Sequence, residues 1–161
     1  MPGSVLKDAS RVRASVGSSK EARNALDDSN ETCWTVELGS PSTSAHVTLT
    51  CTLATHTAVR ALRGLQCTFA GGFAPVRIVT IAGFAPPERP KEVAWTDIDV
   101  AYPADGNMAQ TFDYQRERID EQLRAQGHTS DAECTHLALR LEGSTDGFGR
   151  VIIYKLDIET S

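Results

Sequence analysis

Apolar and polar residues alternate with a period of two along most of this chain. Residues 45–53 read Ala-His-Val-Thr-Leu-Thr-Cys-Thr-Leu, so Ala45, Val47, Leu49, Cys51 and Leu53 point one way and His46, Thr48, Thr50 and Thr52 the other. This predicts a half-buried β-strand, and threonine, being β-branched, suits its outer face. Leu65, Cys67 and Phe69 repeat the pattern, as do Val93 and Trp95, then Ile98, Val100 and Tyr102, and later Leu137, Leu139 and Leu141. The run 151–158 is denser. Simple alternation puts Ile152, Tyr154, Leu156 and Ile158 on one face and Val151 and Ile153 on the other, which predicts a strand that is either central or covered by a loop.

Turn signals separate these runs: Gly39 to Ser44, Gly71-Gly72, Gly83 to Pro90, Pro103 to Asn107 and Gly143 to Gly149. Pro86, Pro87 and Pro90 make 83–91 a loop, because proline cannot donate to a sheet ladder. Two segments read as helical. Ser18 or Ser19 caps a short turn running to Leu26. Residues 113–126 form an amphipathic helix with Ile119 and Leu123 inward, stopped by Gly127. Short strands between regular turns predict an all-β, antiparallel two-sheet sandwich, a single domain over 1–161 with one short helix.

The net charge of −5 over 161 residues argues against nucleic acid, since phosphate binding needs a basic face. The closest basic run, 115–118 with Arg124, is interleaved with Glu117, Asp120 and Glu121. No stretch approaches the roughly 18 apolar residues of a membrane span, and no signal peptide is evident. Four cysteines without a secretory signal read as reduced thiols of an intracellular protein. Cys134 and His136 lie two apart, on one face of a strand, but no second pair completes a metal or nucleophile set. Gly143-Ser144-Thr145-Asp146 lacks the spacing of a nucleophile elbow. The chain therefore reads as a binding protein with no required cofactor, not an enzyme.

Ala25 to Trp34, ending Glu-Thr-Cys-Trp and followed by the alternating strand Val47 to Leu53, resembles the opening of the discoidin, or coagulation factor 5/8 type C, domain. Phe69-Ala70-Gly71-Gly72-Phe73, Tyr102-Pro103 through Gln110-Thr111-Phe112, and Asp146-Gly147-Phe148-Gly149-Arg150-Val151-Ile152-Ile153-Tyr154 resemble an intracellular, nuclear receptor-associated branch of that family, over most of residues 9–158. The resemblance implies a galactose-binding-domain-like jelly roll, a cytoplasmic or nuclear location and a protein partner among transcription regulators. Against that family the predicted helix, at about 113–134, looks like an insertion, and deleting 115–130 is expected to leave a folded core. The protein partner is expected at the loop end, including 70–75 and 83–91, or on that inserted helix. Three departures stand out. His46 replaces the usual tryptophan before the first long strand, the terminal residues contain no cysteine, and apolar membrane-binding spikes are not evident, so no membrane partner is expected.

Two ligand sets follow from the resemblance. In relatives a structural calcium sits in the loop matching 27–32. Here Asp27, Ser29 and Thr32 would bind it, with Asp157 or Glu159 near the last strand completing the set. Calcium takes about six to eight oxygens; the alternative is that Asp27 and Asn30 make turn hydrogen bonds and Thr32 closes the loop. Sugar sites on this fold use loop aromatics with Arg and His. His56, Arg60, Phe73 and Phe84 are available for a carbohydrate ligand, and Arg150 either contacts a ligand or pairs with Asp146. Trp34 is expected in the core with its indole nitrogen paired to a carbonyl.

Overall fold

In a computed structural model that describes residues 3–27, 32–38 and 45–161, the chain forms ten strands and two helices. In chain order these are β1 (Gly3–Ser4), β2 (Arg11–Ala14), α1 (Ser19–Ala22), β3 (Trp34–Glu37), β4 (His46–Ala58), β5 (Leu62–Phe69), β6 (Arg77–Phe84), β7 (Ala94–Ala101), β8 (Gln110–Asp113), α2 (Arg116–Ala125), β9 (Glu133–Glu142) and β10 (Arg150–Thr160). Single 3-10 turns at Arg23–Ala25 and Val59–Ala61 follow α1 and β4. One sheet runs β1-β10-β5-β8 with β3 also on β10, and the other runs β2-β4-β9-β6-β7. Every pairing is antiparallel. The architecture is the all-β sandwich that the alternation predicts.

The two sheets bury their inner faces against each other. Val47, Leu49 and Cys51 of β4 meet Leu137, Leu139 and Leu141 of β9, with Leu65, Cys67 and Phe69 of β5 opposite. β10 is central, flanked by β5 on one side and by β1 and β3 on the other, as its density of apolar residues predicts. Its facing differs from simple alternation. Val151, Ile153, Leu156 and Ile158 are all buried in the core, while Tyr154 is exposed. A register shift between Ile153 and Lys155 adds one residue to the strand and exchanges the faces beyond it.

The strand β6 carries buried residues on both faces: Ile78 and Ala82 join the main core, and Val79 and Ile81 pack outside with Ala138 and Val100. It has no alternation to announce it, and it runs on through Gly83 to Phe84, so the β6–β7 loop begins only afterwards. Its direction also separates the two segments expected to form one partner surface. Residues 70–75 precede β6 at one end of the sandwich, and 85–91 follow it at the other.

α2 is not an appendage. Ile119 and Leu123 are each 1% exposed and belong to the core cluster. The buried Asp99 of β7 accepts hydrogen bonds from Val100 N–H (2.8 Å) and from the helix-capping Gln115 N–H (3.0 Å), and Arg118 approaches it at 3.6 Å. Tyr114, just before the helix, shares a 2.9 Å bond with Thr80 of β6, and burial pushes its phenol pKa upward. The helix closes as the sequence predicts. Gly127 at φ +81° lets its own N–H reach Arg124 O and the His128 N–H reach Leu123 O, a Schellman closure. Ile119 and Leu123 thus face inward as the sequence predicts, and α2 covers one end of the core.

Candidate functional site

The end of the sandwich opposite α2 and opposite the paired termini of β1 and β10 gathers the loops 70–76, 102–109 and 143–149. Short polar side chains tie them together. Asn107 Oδ1 accepts from Gly71 N–H (2.5 Å), and Asp105 Oδ1 from Gly72 N–H (2.7 Å). The Gln110 amide clamps Ala104 by both its N–H (2.8 Å) and its carbonyl (2.9 Å). Thr145 Oγ1 accepts from Ala74 N–H (3.1 Å), and Ser144 donates to Arg150 O (2.5 Å). These bonds satisfy loop backbone that no ladder pairs, and they hold the surface in one shape before any ligand arrives.

On this frame sits Arg150. Asp146 Oδ2 accepts from both its backbone N–H and its Nε, each at 3.1 Å. Burial works against the Asp146 charge, but the Arg150 backbone and guanidinium bonds outweigh it and hold the carboxyl below its ordinary range. The guanidinium lies over Phe73 at 5.2 Å and over Phe148 at 6.0 Å, within cation–π reach of both rings. Among the described residues no hydrogen bond engages its two terminal nitrogens. Phe148 is 74% exposed, between Gly147 and Gly149, and Gly149 has φ +79°. Tyr102, Met108 and Val76 are likewise exposed on these loops. Apolar residues therefore do crown the loops, contrary to the expectation from the sequence, where residues scattered over three loops show no common face.

The structure brings two of the five expected partner-binding residues together, Phe73 and Arg150. Phe84 stacks on His128 (4.1 Å, 24°) at the helix end. Arg60 lies there too, its carbonyl accepting from Arg116. His56 lies on β4, close enough to oppose protonation of His136. Phe148 has its own signal in the sequence, since a phenylalanine between two loop glycines has no strand to bury it.

The acidic loop is divided. Thr32 donates to Asp27 at 3.3 Å, the turn-type contact, and Ser29 and Asn30 lie outside the described residues. Asp157 is held by Ser4 Oγ (2.5 Å) and Ile158 N–H, and Glu159 by Gln66. Asp157 and Glu159 both belong to β10, where they bond to Ser4 of β1 and Gln66 of β5, and the rest of the expected calcium loop, residues 28–31, lies outside the described residues. Trp34 is fully buried, as expected, but its indole nitrogen has no partner among the described residues. Cys134 is buried and donates to Thr57 O, with burial raising its thiol to about 12. His136 faces outward, so the two share no site.

No family model matches the chain, and no curated protein matches it. Solved structures do. The family 32 carbohydrate-binding module of C. perfringens NanJ, solved with galactose, superposes with a TM-score of 0.65 at 11% identity, covering 99% of each chain. Chitosan-binding module 1 of a Paenibacillus sp. IK-5 chitosanase/glucanase gives 0.62 at 12% identity, over 96% of this chain and 97% of that one. Module 2 of the same enzyme, with chitotriose, gives 0.61 at 8%, over 94% and 95%. The sandwich thus has the galactose-binding-domain-like fold of these modules. Nothing in these likenesses supports the nuclear receptor-associated resemblance or the protein partner expected from it.

Proposed function

We propose that this domain is a non-catalytic carbohydrate-binding module that holds a sugar unit on the loop end. The observation that carries the reading is the guanidinium of Arg150, fixed by Asp146 and placed against Phe73 and the open ring of Phe148. A pyranose has an apolar C–H face and a rim of hydroxyls. Phe148 offers the flat apolar surface, and the terminal nitrogens of Arg150 offer donors for ring hydroxyls. A few convergent polar groups beside an aromatic are what orient a small polar ligand. The modules of like fold, solved with galactose and chitotriose, support this choice of ligand class.

The test is a glycan array probed with the intact chain, then titration of the best ligand against Phe148→Ala and Arg150→Ala. Both side chains are largely exposed, so the variants should melt with the parent. Losing the burial of one phenylalanine face should weaken binding by about tenfold or more. An array without any bound glycan, or an affinity that neither substitution changes, refutes the reading.

A further inference from the structure

A second surface lies on the outer face of the β2-β4-β9-β6-β7 sheet. Arg11, Thr52, His136, Gly83 and Trp95 stand opposite one another, one on each of the five strands. Four inter-strand steps of about 4.8 Å make this row about 19 Å long. Arg13 and Thr50 form the start of the next row. The β6–β7 loop rises along one side and adds Lys91, and the resulting open groove has a volume of about 470 Å³.

Gly83 explains how the row works. A Cβ there would meet the Trp95 ring at 2.6 Å, Val93 at 2.8 Å and His136 Cβ at 2.9 Å. The indole therefore lies over the bare backbone of β6, against the edge of the His136 ring (5.9 Å, 70°), and remains 43% exposed. One face is supported by the sheet and the rest is open. Arg11 and Arg13 at the other end of the row, and Lys91 on the loop, have no carboxylate within ion-pair distance among the described residues. Glu92 beside Lys91 is engaged by Arg89 (3.1 Å), and the exposed Asp97, two residues beyond Trp95, does not line the groove. The remaining lining is the hydroxyls of Thr50 and Thr52, His136, Pro90 and Val93. Burial and the neighbouring His56 lower the pKa of that imidazole, and its Nδ1 is bonded to Thr135 at 2.6 Å.

From this juxtaposition we infer that the groove is a second binding site, for an acidic saccharide chain: Trp95 stacks on a sugar ring, Thr50, Thr52 and His136 meet hydroxyls, and Arg11, Arg13 and Lys91 take a uronate carboxylate. Arginine forks match carboxylates in pairs. A single-stranded nucleic acid fits less well, because such binders use several stacking platforms and a long basic track, and here there is one indole on a chain of net charge −5. The saccharide half of the assignment rests on the carbohydrate reading above, and the anionic half on the groove alone.

The two tryptophans make the site observable. Trp34 is fully buried, so acrylamide quenching of the native chain reports on Trp95. The intact protein should be titrated with polygalacturonate, alginate and hyaluronan, with neutral galactan and single-stranded DNA in parallel arms. At least one uronate polymer should protect Trp95, in a salt-sensitive way, and Arg11→Ala with Arg13→Ala should weaken that protection by about tenfold or more. Phe148→Ala should leave it unchanged. Protection without loop-end glycan binding would remove the first reading and keep this one. Loop-end binding with no protection by any uronate would do the reverse. Protection by DNA equal to that by uronate, or indifference to the double arginine substitution, also overturns the inference.

Discussion

Leu123→Ala is the most direct way to ask whether α2 is an insertion or part of the core. Leu123 is 1% exposed and packs in the main cluster beside Ile119. The substitution removes three carbons at about 0.8 kcal/mol each and leaves a cavity that the rigid sheet ends cannot fully close, for about 3–4 kcal/mol in all. Helix propensity does not confuse the result, because alanine is slightly the better helix former. The exposed Glu121→Ala in the same helix serves as control and should stay within about 0.5 kcal/mol. Urea titration, followed by fluorescence of the buried Trp34, measures the difference. On heating, the same loss should lower the Tm by about 6–16 °C for a chain of this length. Removing 115–130 entirely withdraws both Ile119 and Leu123, at about 6–8 kcal/mol. That ranges from about half to all of a typical domain's 5–15 kcal/mol of stability. If Leu123→Ala matched Glu121→Ala within about 1 kcal/mol, or the deletion melted cooperatively near the parent temperature, the claim that α2 seals the core would be refuted.

Two further outcomes follow from burial. The Asp157 carboxyl is raised by burial, against the pull of the Ser4 bond. A group raised in this way favours the fold while protonated, and that contribution is lost as pH rises through the raised folded value. Asp157→Asn, which keeps an acceptor for Ser4, should therefore be at least as stable as the parent at pH 7, with its advantage vanishing below the ordinary aspartate value near 3.9. Urea midpoints at the two pH values decide, and a variant less stable at pH 7 contradicts the reasoning. For the thiols, burial raises Cys51, Cys67 and Cys134 to about 12, while Cys33 is partly accessible. A chromogenic disulfide reagent should modify one cysteine in the native chain and the other three only on unfolding; rapid modification of two or more would contradict the packing.

The alternation over 45–53 is enough to call for a sheet with one buried face, because such a sheet requires a period of two and its register cannot slip without exposing that face. The stop at Gly127, the central place of β10 and the pairing of Arg150 with Asp146 were legible for similar reasons. Each depends on a local constraint: a left-handed turn, a doubly apolar strand, or an i,i+4 contact. What lay beyond the sequence involved contacts between distant residues. The bulge that exchanges the faces of β10 comes from its pairing with β5, and the tie between α2 and the sheet comes from where β7 presents Asp99. Phe73 and Phe148, 75 residues apart in number, meet one guanidinium only because β5 and β10 end side by side. The row from Arg11 to Trp95 draws on five strands whose order, 2-4-9-6-7, no local pattern encodes. Side-chain periodicity is a property of each strand alone, whereas a binding surface is a property of strand order and register, which only the packed sheets decide.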